Sequence, residues 1–328
     1  MTPTDRLLAL PRTGLVTPTP LQRLDRFGAL LGAEIWCKRD DIGPVTLAGN
    51  KIRKFDLVLA EAIAQGCDTL VTTGAAQSNS ARAGASAAAA TGLASMLILS
   101  GAEPAAPTAN LLLDRLVGAE VRFAGEVGWA ELDALVDDAV AEVAARGRRA
   151  YAAPVGCSSP LGSLGFALAF LELEGQLREA DVEPSAIVHT STSGGTHAGL
   201  LVGRALVGSD VPIIGIDAGF GHPDPNGVLD RLARRAADLI DLDLDEPGAD
   251  LRDDWIGDGY GIPSPAGGEA IDLLARSEAI VTDPVYSGKG LAGLVDLIRS
   301  GAIDGPVVFW HTGGFHAWFD PTIATAQF

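Results

Sequence analysis

Short aliphatic and β-branched runs recur along this chain, most of them followed by a turn residue and then by a stretch with helical spacing. Residues 69–73 form such a run, then Gly74, then an alanine-rich helical stretch over 79–91. Extended segments follow at 95–100, 119–123 and 149–154, with helical stretches at 109–117 and 130–146 between them. After a long helix over 163–177 the pattern resumes. Strands are predicted at 187–190, 213–217 and 307–310, and helices at 196–207, 228–242, 265–277 and 288–300. Near the start, Leu21, Leu24, Phe27 and Leu31 share a helical face that Gly32 ends, and 34–39 reads as a strand. Strands alternating with helices imply an α/β fold with parallel sheets covered on both faces. Such sheets carry ligand sites in the loops at the carboxyl ends of their strands. The polar and glycine-rich clusters fall in those loops.

The length, 328 residues, suits about two domains, and 47% hydrophobic residues supply their cores. No linker or repeat marks a boundary. The net charge of −18 and the lack of a basic face argue against nucleic acid and anionic membranes as partners. An anionic ligand would have to be held by local dipoles and a few cations. Cys37, Cys67 and Cys157 are an odd, sparse set without metal-ligand spacing. They read as reduced thiols of a cytoplasmic protein, and no metal site is expected. Residues 1–15 lack the basic-then-apolar order of a signal peptide, and no run is long enough to span a membrane.

Five loops carry candidate chemistry. Gly49-Asn50-Lys51-Ile52-Arg53-Lys54 puts three cations in four residues. Alone it reads better as a solvated helix start than as a Schiff-base lysine activated by its cationic neighbours. Gly74 to Ser80 contains Gln77, Ser78 and Asn79 between a strand and a helix: an N-cap, or donors aimed at a carboxylate or ring oxygen. Ser191-Thr192-Ser193-Gly194-Gly195-Thr196-His197 is neither a Walker loop nor a dinucleotide fingerprint. Its density of Ser, Thr and Gly at a helix start favours a phosphate cradle over a plain turn. Asp283 to Gly290, with Gly259-Tyr260-Gly261 upstream, places two of three tyrosines in glycine-rich loops, as packing residues or as acid–base groups. His311-Thr312-Gly313-Gly314 is a strand-ending turn, or places Thr312 in the floor of a site.

Taken in order from Thr19-Pro20-Leu21 through Lys38-Arg39-Asp40-Asp41 and Gly49-Asn50-Lys51 to His311-Thr312-Gly313-Gly314, these pieces span nearly the whole chain. The set resembles the D-cysteine desulfhydrase and 1-aminocyclopropane-1-carboxylate (ACC) deaminase family, within pyridoxal 5′-phosphate (PLP) fold type II. The resemblance implies two open, twisted parallel-sheet domains with PLP in the cleft between them. Residues 1–51 with 158–328 would form the large domain and 52–157 the small one, in a homodimer.

The resemblance also implies roles. Lys51 would carry PLP and move the Cα proton. Ser78 would receive the substrate carboxylate or assist proton transfer, and Asn79 would bond the ring oxygen. Ser193, Gly194, Gly195, Thr196 and His197 would hold the phosphate. Tyr260 and Tyr286 would line the substrate side, with Ser287 or Thr312 at the pyridine nitrogen. Gln77, Ser80, Cys157, Ser158 and Phe315 complete the expected substrate pocket.

The implied reaction is α,β-elimination from a small β-substituted amino acid such as D-cysteine, giving pyruvate, ammonia and sulfide. Ser287 favours this chemistry, because ACC deaminases look to have Glu there. Gly156-Cys157-Ser158 is closer to the ACC deaminase loop, which would give 2-oxobutyrate from ACC. Ser80 replaces the His or Gln of the two groups, and Phe315 to Trp318 replaces a smaller segment. Both keep L-cysteate and other β-substituted alanines open as substrates. The remote alternative is a PLP-binding protein without turnover.

Overall fold

Strands form here where aliphatic runs are covered from both sides by helices. A computed structural model describes residues 1–45, 49–219 and 221–323. In chain order the strands are β1 (Leu21–Arg23), β2 (Ile35–Arg39), β3 (Thr69–Ala75), β4 (Ala94–Ser100), β5 (Glu120–Phe123), β6 (Ala150–Ala153), β7 (Ala186–Ser191), β8 (Ile213–Asp217), β9 (Asp250–Arg252) and β10 (Val307–His311). The helices are α1 (Pro3–Leu8), α2 (Asp25–Leu31), α3 (Ile52–Ala64), α4 (Asn79–Thr91), α5 (Ala109–Leu116), α6 (Trp129–Ala145), α7 (Pro160–Ala180), α8 (Gly195–Leu206), α9 (Pro225–Asp238), α10 (Pro265–Glu278) and α11 (Ser287–Arg299).

Two sheets result. One has six strands in the order β1-β2-β10-β7-β8-β9, and the other has four in the order β5-β4-β3-β6. Every pairing is parallel except β1 with β2, at the edge of the larger sheet. Alternate residues of the central strand β10 serve opposite faces. Val308 and Trp310 pack with Phe166, Phe170 and Leu200 of α7 and α8. Val307 and Phe309 pack with Phe27 of α2 and Leu291 and Leu294 of α11. Each large side chain buried this way contributes about 1.5–3 kcal/mol.

The smaller sheet is covered by α6 on one face, through Leu132 and Val136 against Val71, Met96 and Ile98. Residues of α3 and α4 cover the other, with Phe55, Val58 and Ala83 around Leu70. Helix α3 also sends Leu57 into the core of the larger sheet. It is therefore held between the two sheets, with Lys51 at its amino end. Close approach to α7 needs Gly165, where a Cβ would lie 2.1 Å from the carbonyl oxygen of Arg53.

One expected element differs. The helical face expected over 21–31 is split: Leu21–Arg23 is strand, and helix begins only at Asp25. Pro20 fixes its own φ, and Leu21, Gln22 and Arg23 pair with Lys38, Cys37 and Trp36. Ladder bonds to β2 outweigh the local periodicity. Strand β9 carries no sequence signal strong enough to announce it. The three cysteines are free and buried. Among the described residues, no helix is long and apolar enough to cross a membrane.

Candidate active site

Strands β3, β7 and β10 end at one place. The loops that leave them, with the start of α3 and the Tyr260 loop, line a cavity of about 430 Å³. Lys51, Ser78, Asn79, Ser80, Ser158, Ser193, Gly194, Thr196, Tyr260, Tyr286 and Thr312 all reach it. Residues far apart in the chain, Lys51 and Thr312 among them, thus meet because parallel strands deliver their carboxyl ends to the same edge.

Lys51 is placed by its neighbours. Gly49 has φ +69, and a Cβ there would lie 2.9 Å from the Thr312 carbonyl oxygen. Asn50 N–H donates to that same oxygen at 3.0 Å. The Asn50 side chain accepts from Lys51 Nζ at 3.1 Å and donates to Thr196 Oγ1 at 3.0 Å. Burial lowers the Lys51 pKa to about 8, opposed by the Cys157 and Asp283 charges. Arg53 and Lys54 were expected to cause this shift, and they do not. Arg53 turns away into a buried cluster with Asp40 and Glu172. Lys54 is itself buried, and its own pKa falls well below normal.

Beside Lys51 lies an anion cradle. Lys54 Nζ donates to the Gly156 carbonyl oxygen and Ser158 Oγ, both at 3.1 Å. Ser158 Oγ sits 2.9 Å from Ser193 Oγ and accepts from Gly195 N–H at 3.1 Å. The amides of Ser193, Gly194 and Thr196 have no protein partner among the described residues. Open amides at the start of α8, hydroxyls and the Lys54 amine, which a bound anion would hold protonated, make a site for a dianion. A Cβ on Gly195 would fall 2.7 Å from Lys54 Nζ, so the cradle excludes larger side chains. This donor set fits a phosphate ester.

On the opposite wall, Ser78 caps α4: its Oγ accepts from Ala81 N–H at 3.1 Å. Tyr260 and Tyr286 meet through their hydroxyls at 2.6 Å, with rings 5.9 Å apart. Burial pushes Tyr286 well above the usual phenol range and raises Tyr260 as well.

Six residues expected at the site do not line the cavity. Gln77 spends its side chain on the backbone of Thr108 and Asn110. Cys157 is buried with its thiol pushed up to about 12. Gly195 contributes only its amide. His197 turns into the core, with Nδ1 2.9 Å from His189 Nε2, and burial drives its pKa well down. The Ser287 hydroxyl is occupied by Asp283 and the Gly313 carbonyl. Phe315 stacks on His316 and Phe319.

Conversely, Lys54, Asn50, Arg82, Thr190, Asp133 and His222 line the cavity without having been assigned to it. For Lys54 a signal existed. It stands three positions after Lys51 on a helix start, hence on the same face.

The residues from 12 to 313 match the family described as pyridoxal-phosphate dependent enzyme. The chain belongs to that family. Within it, the chain is 38% identical over 327 residues to D-cysteine desulfhydrase of Salmonella newport (strain SL254), covering 97% of this chain and 98% of that one. D-cysteine desulfhydrase of Salmonella typhi matches equally. Among solved structures, an ACC deaminase homologue superposes with a TM-score of 0.92 at 33% identity, covering 99% of both chains. A threonine deaminase isoform from Solanum lycopersicum shares the fold, with a TM-score of 0.68 at 17% identity, covering 95% of this chain and 83% of that one. The cradle and Lys51 fit the cofactor that defines this family.

Proposed function

We propose that the chain eliminates the β-substituent of a small amino acid, with D-cysteine giving pyruvate, ammonia and sulfide. The observation that carries this reading is that the low-pKa Lys51 shares one cavity with an anion cradle and a pair of hydrogen-bonded tyrosines. The high identity to D-cysteine desulfhydrases supports the substrate.

Bound PLP supplies an electron sink at the substrate's Cα. Lys51 would hold the cofactor, and its pKa near 8 leaves a useful fraction of the amine neutral at physiological pH, able to take the Cα proton. Lys54, Ser158, Ser193 and the amides of Gly194 and Thr196 would hold the phosphate. Asn79 would donate to the ring oxygen, and Thr312 would close the ring side. Ser78 keeps its hydroxyl hydrogen free for the substrate carboxylate, because its oxygen serves Ala81 as acceptor. The Tyr260–Tyr286 pair hands a proton to the departing sulfur.

The same reading divides the chain into a large unit, 1–51 with 158–328, and a small one, 52–157. It pairs two copies as a homodimer in the cytoplasm. A second reading, ACC deaminase, draws on the close superposition with an ACC deaminase homologue.

Parallel assays with D-cysteine and ACC decide. Pyruvate and sulfide from D-cysteine support elimination. 2-Oxobutyrate from ACC alone replaces it with ring opening. Neither product overturns both substrates and directs attention to other β-substituted alanines.

A further inference from the structure

Asn110 does not line the cavity. It is buried at the second position of α5. Ala109, just before it, has φ +44. An alanine holds that left-handed conformation only where its surroundings over-determine it, and such strain clusters at functional sites. What the strained turn delivers is a fully satisfied amide. Asn110 N–H donates to Gln77 Oε1 at 3.0 Å. Its Nδ2 donates to the Gln77 carbonyl oxygen and to Asn79 Oδ1, both at 2.9 Å. Its Oδ1 accepts from Arg82 Nε at 2.8 Å.

The partners leave no freedom in which way each amide faces. A guanidinium can only donate, and a backbone carbonyl can only accept. Arg82 and the Gln77 carbonyl therefore fix Asn110 with its oxygen toward α4 and its NH2 toward Asn79. That NH2 can only meet the Asn79 oxygen. The Asn79 NH2 is left facing the cavity wall: it lies 3.3 Å from where a Gly314 Cβ would stand, and no protein acceptor among the described residues engages it.

We infer that Asn110 is a positioning residue, whose amide orients Asn79 so that Asn79 turns its donor, and not its acceptor, to the cofactor. The inference rests on the PLP reading above. Gln77 belongs to the same device, as the group that holds Asn110 rather than as a substrate contact.

Asn110→Asp keeps the size and keeps the acceptor for Arg82, but it offers oxygen where Asn79 needs a donor. Asn79 then flips and presents its carbonyl to the cofactor's ring oxygen. The measurements are PLP affinity, by fluorescence titration of the apo protein, and the pH midpoint of the loaded protein's visible absorbance band. A donor at the ring oxygen stabilises its charged form, so losing it raises that midpoint. The expected result for Asn110→Asp is PLP binding about tenfold weaker and a higher midpoint. In an Asn79→Ala background the same change should add nothing. An equal loss in both backgrounds, or no loss in either, overturns the inference. Asn110→Ala admits water between Arg82 and Asn79 and serves if the aspartate variant does not fold; it should move both readouts the same way by less, and unchanged readouts overturn the inference equally. A wild-type chain that binds no PLP sinks the PLP reading along with it. Wild-type binding with an unaffected Asn110→Asp sinks the Asn110 inference alone.

Discussion

The phenol oxygens of Tyr260 and Tyr286 lie 2.6 Å apart, so one hydrogen sits between them, and both residues border the cavity. Tyr260 comes from a loop that Lys289 tethers through the Gly259 carbonyl at 2.7 Å, and Tyr286 stands just before the first residue of α11. Both pKa values are raised above the ordinary 10.0, so the pair stays protonated through the neutral range and can only give a proton there. Tyr286→Phe should lower kcat/KM for D-cysteine by about 10²–10⁴. Tyr260→Phe removes the hydrogen bond to Tyr286 and should cost about tenfold. Initial rates of pyruvate release measure both. Full activity in Tyr286→Phe would remove the pair from the mechanism. No loss of activity on the alkaline side should trace to these tyrosines below about pH 10.

Lys51 makes a prediction about loading. Its folded pKa, about 8, is below the ordinary 10.5, so the neutral amine needed to capture PLP grows until pH passes that value. The rate of PLP uptake by the apo protein should rise about tenfold per pH unit below 8 and level off above it. Lys51→Ala should leave no cofactor attached after borohydride reduction, as read by mass spectrometry. A label that persists in this variant would move the attachment elsewhere.

Gly195→Ala tests the cradle. Position 195 is the first residue of α8, where alanine is a better helix former than glycine. The added Cβ would stand 2.7 Å from both Lys54 Nζ and Ser158 Oγ. PLP affinity should fall about tenfold or more, and because the Cβ also stands 2.9 Å from the Ser158 Cα, the apo protein's melting temperature should fall as well. Unchanged affinity would mean that Lys54 and Ser158 do not hold the phosphate.

Arg53→Met tests the anchor beneath Lys51. Arg53 is bidentate to Asp40 and also reaches Glu172, while Lys38 bonds Glu172 and Trp310 Nε1 donates to Asp40 at 2.8 Å. Removing the guanidinium leaves the buried Asp40 carboxylate without its ion partner, a loss of about 3–5 kcal/mol. Urea unfolding should show it, and a change under about 1 kcal/mol would mean that water replaces the guanidinium.

Much of the site was legible because loops after strands announce themselves. The Gly74–Ser80, Ser191–His197 and His311–Gly314 segments each follow a strand in the structure as expected, and each brings residues to the cavity. What the pattern does not carry is side-chain direction. His197 and Thr196 are neighbours in one motif, yet Thr196 faces the cavity and His197 faces His189 in the core, because successive helix positions point about 100° apart. Ser287 stands next to Tyr286 and was expected at the cofactor, but Asp283 accepts its hydroxyl at the helix start.

The sequence by itself determined the α/β class, the order of the elements and the glycine-rich loops that close them, because hydrophobic period and turn chemistry are local properties of the chain. The ordered motifs also sufficed to point to the PLP-dependent family. Only the tertiary structure decided which of those loops share one cavity and which way their side chains turn. Burial, not the adjacent cations, sets the Lys51 amine. Lys54 meets Ser158 across 104 positions of chain, Ser158 meets Ser193 across 35 more, and Asn110 reaches back to fix Asn79. Those relations arise from the packing of two sheets, and no window of sequence contains them.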